Sequence, residues 1–243
     1  SNDLKNILIK KGNIMEINDN KCSICKNNLL SIELSSLEKL NLQNNIETIY
    51  FNKKNKELKK FKNYLISNKI DIFIDAGNIL YYQGGLINYN SFKKIDLIVK
   101  KLEKDYHVLV IIHLRHFNNL KKMDNKDSIL KLYNSWNKFE TPYNINDDYF
   151  FIYGCLLTDN SLIVTNDKLR DHQFKVSEKT NTNNTLAKLI DRRVIRYDFK
   201  DKIYNQENLI LKFPNKYSTE IQEVNNVWHF PTSNGNWLCL DKL

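Results

Sequence analysis

The sequence predicts an α/β protein: a parallel sheet flanked by helices. Three observations predict it. Continuous β-branched runs recur at Ile70–Ile74, His107–Leu114 and Leu162–Thr165. Stretches with helical spacing separate them, and the connections have a length that suits right-handed βαβ units.

Along the chain, residues 1–45 are polar and short-patterned, with strand-like stretches at Ile7–Ile9 and Ile14–Ile17 beside Cys22 and Cys25. Lys56–Ser67 reads as a Lys-rich amphipathic helix whose charged face is more often solvated surface than an RNA contact. Ile70–Ile74 is the first buried strand, Phe92–Leu102 a helix, and His107–Leu114 the second strand. Asp127–Phe139 reads as a helix, Tyr149–Leu157 as a buried helix, and Leu162–Thr165 as the third strand. Val194–Phe199 and Leu209–Phe213 are strands, and Tyr217–Trp228 leads into His229 and the terminal Trp237-Leu238-Cys239. There is no internal repeat, no Pro/Gly-rich linker and no helical-hairpin array of about 34-residue period.

The 243 residues suffice for one large core, or for a domain of about 150 residues with a smaller appendage. An apolar share of 42% suits a globular chain. Lys and Arg outnumber Asp and Glu by 37 to 28, for a formal charge of +9. That balance favours a polyanionic partner, since each neutralised phosphate releases counterions. The heavy use of Asn, Lys and Ile, an imprint of an AT-rich genome, would raise the charge without selection for binding. No apolar run reaches the roughly 18 residues of a membrane span. The start, Ser1-Asn2-Asp3, is neither a secretory segment nor an Arg-rich presequence. The chain reads as intracellular and, lacking an initial Met, as processed or trimmed. Four cysteines would make two disulfides in a secreted protein, but Cys22-x-x-Cys25 in an intracellular chain reads as half a metal site.

The chemistry gathers in aspartates. In open parallel sheets, ligands bind beyond the carboxyl ends of the strands. Asp75 follows the first strand and opens the turn Asp75-Ala76-Gly77-Asn78; Asp167 follows the third strand within Thr165-Asn166-Asp167. Asp147 and Asp148 precede the buried helix, where they can cap it and still project into the same crevice. A lone Asp at a strand end is usually a turn former or a cap. Carboxylates gathered at one spot repel unless a cation neutralises them, and hard oxygen ligands suit Mg²⁺ or Mn²⁺. Two such ions, about 3.5–4 Å apart, are the known device for in-line phosphodiester displacement.

Asp75-Ala76-Gly77-Asn78, Asn146-Asp147-Asp148-Tyr149 and Val164-Thr165-Asn166-Asp167, continuing through Arg170-Asp171-His172, resemble the nuclease domain of protein-only ribonuclease P in order and spacing. Tyr217 to Gln222-Glu223, Trp228-His229-Phe230-Pro231 and Trp237-Leu238-Cys239 match the family's C-terminal pattern, so the similarity runs from Cys22 nearly to the end. The resemblance implies a PIN-like nuclease domain of the NYN type over residues 51–204. It also implies a zinc-binding, mainly β domain made of residues 1–50 and 205–243. The implied activity is removal of the 5′ leader of precursor tRNA with Mg²⁺ or Mn²⁺, leaving a 5′-phosphate and a 3′-hydroxyl. Asp75, Asp147, Asp148 and Asp167 would be the catalytic, metal-binding carboxylates. Asn78 and Asn166 would hydrogen-bond them, Asp171 and His172 would lie nearby, and Arg170 would touch the scissile phosphate or form a surface ion pair. His229 and Cys239 would join Cys22 and Cys25 in a closed structural zinc site. Apart from the family, His229 reads as a surface histidine and Cys239 as a buried thiol; Cys155 reads as core.

Several positions depart from the family pattern. Ala76-Gly77 swaps the usual Gly-Ala, Pro142-Tyr143 stands where a second proline is common, Leu189 replaces an aromatic and Arg193 a histidine. None removes a carboxylate. The pentatricopeptide repeats that grip the tRNA elbow in eukaryotic members are absent, so a missing repeat domain or a partner protein would supply that grip. The competing readings are a PIN-like endonuclease for other structured RNA and a catalytically silent RNA-binding scaffold. A small-molecule enzyme lacks support, because no Gly-rich phosphate loop follows the first strand.

Overall fold

The computed structural model describes residues 13–48, 55–84, 86–116, 125–143, 145–169 and 185–241. The expected strand Ile7–Ile9 lies outside them. In chain order the elements are β1 (Asn13–Met15), β2 (Ile17–Asn18), β3 (Lys21–Cys22), α1 (Ser36–Ile46), α2 (Asn55–Ser67), β4 (Ile72–Asp75), α3 (Ala76–Leu80), α4 (Tyr89–Leu102), β5 (Val108–His113) and α5 (Lys126–Ser135). Then follow β6 (Lys138–Thr141), α6 (Asp148–Leu157), β7 (Leu162–Val164), α7 (Thr185–Arg193), β8 (Val194–Phe199), β9 (Leu209–Lys212), β10 (Gln222–Val224), β11 (Val227–Pro231) and β12 (Trp237–Asp241). They form two compact units, one from Leu34 to Phe213 and one drawing on both chain ends, up to Glu33 and from Pro214. Among the described residues no helix is long and apolar enough to cross a membrane.

The larger unit holds a six-stranded sheet in the order β6-β5-β4-β7-β8-β9. All its pairings are parallel except β8 with β9, which closes one edge antiparallel. The α/β expectation is met, with a mixed rather than a wholly parallel sheet. Strand alternation divides the core in two. Ile72 and Ile74 of β4, with Val108, Val110 and Ile112 of β5, face a cluster completed by Phe92, Ile95 and Ile98 of α4. Phe73, Leu109 and Ile111 point the other way, into Phe61 of α2 and the apolar α6. Because β4 and β5 are covered on both faces, their runs are continuously apolar rather than alternating.

The helices have local causes. Ser35 caps α1 in a reciprocal box with Glu38, and Asn88 does the same for α4 with Ser91. One expectation is corrected: the stretch Asp127–Phe139 is not one helix. The helix stops at Ser135, Trp136 turns extended, and Lys138–Thr141 becomes the edge strand β6 beside β5. Asn137 sets the junction, its side-chain amide donating to the Val108 carbonyl while its own carbonyl accepts from Val110.

The smaller unit is a four-stranded antiparallel sheet, β1-β12-β11-β10, with the two-stranded β2-β3 hairpin beside it in sequence. Its core gathers Met15, Cys22, Leu29, Val227, Trp237 and Cys239.

Candidate active site and metal centre

The order of the large sheet makes a switch point at β4, whose two neighbours, β5 and β7, are reached by crossovers running in opposite directions. A crevice opens beyond the carboxyl ends of strands at such a point. Here it is a cavity of about 530 Å³ lined by Asp75, Asp147, Asp148 and Asp167, together with Asn78 and Asn166.

Each carboxylate is placed by its element. Asp75 ends β4 and, by alternation after Ile74, leaves the sheet on the Phe73 side, which α6 covers. Its Oδ1 accepts from the Asn78 amide at 2.9 Å, capping α3. Its Oδ2 accepts from the Thr165 hydroxyl at 2.8 Å. The register explains that second bond: Ile74 lies opposite Val164, so the next residues, Asp75 and Thr165, meet. Asp147 stands at the N-cap position of α6 without a side-chain cap bond, and Asn146 Oδ1 accepts from the Asp148 amide instead. The expected capping role therefore falls to Asn146. Asp167 is exposed; its amide donates to Thr165 Oγ1, and its Oδ1 accepts from the Leu169 amide at 2.8 Å.

Asp75 is only 3% exposed. Burial, followed by the Asp148 and Asp147 charges, pushes its carboxyl well above the usual range. Gly77 makes the close approach feasible. A Cβ there would sit 3.1 Å from Asp147 Oδ2 and 3.4 Å from Asp75 Oδ1.

Asn78 hydrogen-bonds a carboxylate as expected, through its backbone amide on Asp75, while the side chains of Asn78 and Asn166 are engaged elsewhere. Asn78 Oδ1 accepts from the Asn166 amide at 2.9 Å and from the Tyr197 hydroxyl at 2.7 Å. The Asn166 side chain donates to the Tyr197 carbonyl and accepts from the Tyr197 amide. The pair thus ties the ends of β4, β7 and β8 together. Burial and the nearby Asp75 charge raise the Tyr197 hydroxyl, which stays protonated as a donor. Arg196 adds a clamp, donating to the Thr165 and Asp167 carbonyls at 2.9 and 2.8 Å. Sequence reasoning assigned no role to Gly77, Thr165, Arg196 or Tyr197. The adjacency of Thr165 to the Asp167 motif was the available signal for one of them. Arg170, Asp171 and His172 lie outside the described residues.

In the smaller unit, one ligand atom from each of Cys22, Cys25, His229 and Cys239 lies within 4.8 Å of the others. His229 and Cys239 are directly opposite across β11 and β12, so their side chains leave the same face. The β2-β3 hairpin turns through Asp19 and Asn20 at positive φ and delivers Cys22. Lys26, also at positive φ, folds the segment back, and the Cys25 amide donates to Cys22 Sγ at 3.4 Å. Burial first, then the neighbouring Cys22 and Cys25, pushes the Cys239 thiol up to about 12. A divalent cation would reverse that by favouring thiolates. Four N/S donors would suit a closed tetrahedral site with no position left for substrate. Cys155 is buried in α6, its thiol on the Ser161 carbonyl, as a core residue.

Residues 17–239 match the protein-only RNase P family. Proteinaceous RNase P 2 of Arabidopsis thaliana is 24% identical over 257 residues, covering 96% of this chain and 46% of that protein. The chloroplastic/mitochondrial proteinaceous RNase P 1 of the same plant is 26% identical, covering 90% and 39%. The crystal structure of nuclear proteinaceous RNase P 2 superposes with a TM-score of 0.72 at 20% identity, over 96% of this chain and 50% of that one. The chain thus spans about half the length of these relatives. With the family match covering nearly all of a chain that also has this fold, the protein belongs to the protein-only RNase P family.

Proposed function

We propose that this chain is a metal-dependent endoribonuclease that removes the 5′ leader of precursor tRNA. The observation that carries the reading is the convergence of four aspartates in one cavity at the sheet's switch point, in a chain of this family. The donor set fits Mg²⁺ or Mn²⁺: it is all hard oxygen, and a buried carboxylate facing two others is costly without a cation. When bound, such an ion neutralises the carboxylates and polarises the phosphodiester.

The protein's own part is positioning. Asp75 is fixed on both oxygens by Asn78 and Thr165. Asp147 sits at the N-cap of α6 and Asp148 on its first turn, and Asp167 stands at the solvent side with one oxygen tied to Leu169. Water attack in line with the leaving oxygen yields a 5′-phosphate on the tRNA and a 3′-hydroxyl on the leader. The second metal set, Cys22, Cys25, His229 and Cys239, we assign to structural zinc.

The test compares a 5′-labelled precursor tRNA with an unstructured RNA of equal length in Mg²⁺. A single cut at the mature 5′ end of the tRNA alone is the expected result. Equal cutting of both would contradict the tRNA assignment, and cutting of neither in Mg²⁺ or Mn²⁺ would contradict the enzyme reading.

A further inference from the structure

Among the described residues that line the aspartate cavity, Arg115 is the single cation. It follows the carboxyl end of β5, one strand over from Asp75, and it is exposed. Among the described residues it forms no ion pair with the four aspartates. Its guanidinium is held from behind instead, Nε donating to His116 Nε2 at 3.3 Å, while its backbone amide donates to His113 Nδ1 at 3.0 Å and fixes the main chain. That arrangement commits the inner edge of the guanidinium and leaves the outer fork to reach the cavity.

His116 is an unusual support. It is 1% exposed, and among the described residues its Nδ1 has no partner. Burial, then the Arg115 and His113 charges, lowers its pKa to about 4, so the ring is neutral and can accept at Nε2. An unsatisfied buried ring nitrogen is a cost that calls for a reason, and holding Arg115 supplies one. Tyr81, on the same rim, is 49% exposed and packs against His116 in a T-shaped contact, with ring centroids 5.7 Å apart. A ring half exposed at the rim of the cavity offers surface for base stacking.

We propose that Arg115 and Tyr81 form a nucleotide subsite next to the scissile bond, Arg115 gripping a backbone phosphate and Tyr81 stacking its base, with His116 as the positioning residue for Arg115. The proposal rests on the ribonuclease reading above. It adds the side chains that orient the RNA strand across the aspartates, which carry no positive charge themselves.

The experiment measures cleavage of a 5′-labelled precursor tRNA in Mg²⁺ by wild type and by Arg115→Ala, Arg115→Lys, Tyr81→Ala, His116→Gln and His116→Leu. Lys104→Ala serves as a control that removes one charge ahead of β5, at the opposite end of the strand. Arg115→Ala should raise KM about tenfold or more, as loss of a charged hydrogen bond does. Arg115→Lys, which keeps the charge but loses the fork, should fall between it and wild type. Tyr81→Ala should raise KM about tenfold. His116→Gln, which keeps an acceptor, should recover most of what His116→Leu loses. In the cleavage-dead Asp147→Ala/Asp148→Ala background, Arg115→Ala should lower the slope of log Kd against log salt by about one, and Lys104→Ala should change it less. Arg115 and Tyr81 variants matching the control while wild type cleaves would overturn the subsite and leave the enzyme reading intact. Equal loss for Gln and Leu would overturn the role of His116. Wild type that cuts no RNA would overturn the ribonuclease reading and this subsite with it.

Discussion

Gly77 shows how much a single residue decides here. With Ala76 it reverses the usual order of small residues in the first motif, and the two positions have opposite surroundings. Ala76 is sealed in the core, while Gly77 lies against Asp147 and Asp75. Gly77→Ala would improve local helix propensity by up to about 1 kcal/mol, so the fold should survive. The added methyl must displace Asp147 Oδ2, and the Mg²⁺ concentration for half-maximal cleavage should rise about tenfold, a cost near 1.4 kcal/mol. A magnesium titration of the cleavage rate checks it, and an unchanged midpoint would mean the carboxylates yield freely. The swap was visible in the sequence, yet its consequence was not, because it depends on where α6 sits in space. The same limit hid Asn78 and Asn166. Their proximity to the aspartates was readable from the motifs, but their bonds run through Tyr197, more than a hundred positions from Asn78.

Among elements, β4 and α6 do most to build the site. Alternation along β4 sends Phe73 and Asp75 to one side, and α6 packs there with Asp147 and Asp148 at its first turn. Gly154 sets how closely α6 approaches: a Cβ there would lie 2.7 Å from Phe73 Cζ and 3.3 Å from Phe61 Cζ. Gly154→Ala should therefore destabilise the protein by about 1–3 kcal/mol despite its better helix propensity, read from urea unfolding. A neutral or stabilising result would show that the Phe73 ring moves aside. Buried strands and helices were legible because continuous apolar runs and helical spacing are strong signals. The α5–β6 boundary was not, since Tyr133, Trp136 and Phe139 keep helical spacing across a break set by Asn137. The β10–β11 hairpin was also missed. Its signal is Asn225-Asn226, both at positive φ, as a two-residue hairpin turn requires, but Asn is so common in this chain that the pair did not stand out.

In the whole molecule, the two proposed metal sites would serve two separate needs. The large unit has deep apolar layers on both faces of its sheet, whereas the small one has a core of few residues and four converging donors. Small cores depend on such staples. Cys22→Ser/Cys25→Ser should lose one zinc per chain by elemental analysis and unfold the smaller unit's antiparallel sheet, while the larger unit keeps its cooperative melt. Full zinc retention would contradict the ligand assignment. Half of this candidate ligand set, Cys22-x-x-Cys25, was legible from spacing alone. His229 and Cys239 lie too far along the chain for any spacing rule, and only the strand register brings them opposite each other.

The most direct measurement is cleavage of a 5′-labelled precursor tRNA in Mg²⁺ by wild type and by Asp147→Ala/Asp148→Ala, with both proteins shown to be folded by their melting curves. A single cut at the mature 5′ end, reduced at least about a thousandfold in the variant (roughly 4 kcal/mol of transition-state stabilisation), is the predicted result. Cutting that persists unchanged without Asp147 and Asp148 would contradict the assignment of this cavity as the active site.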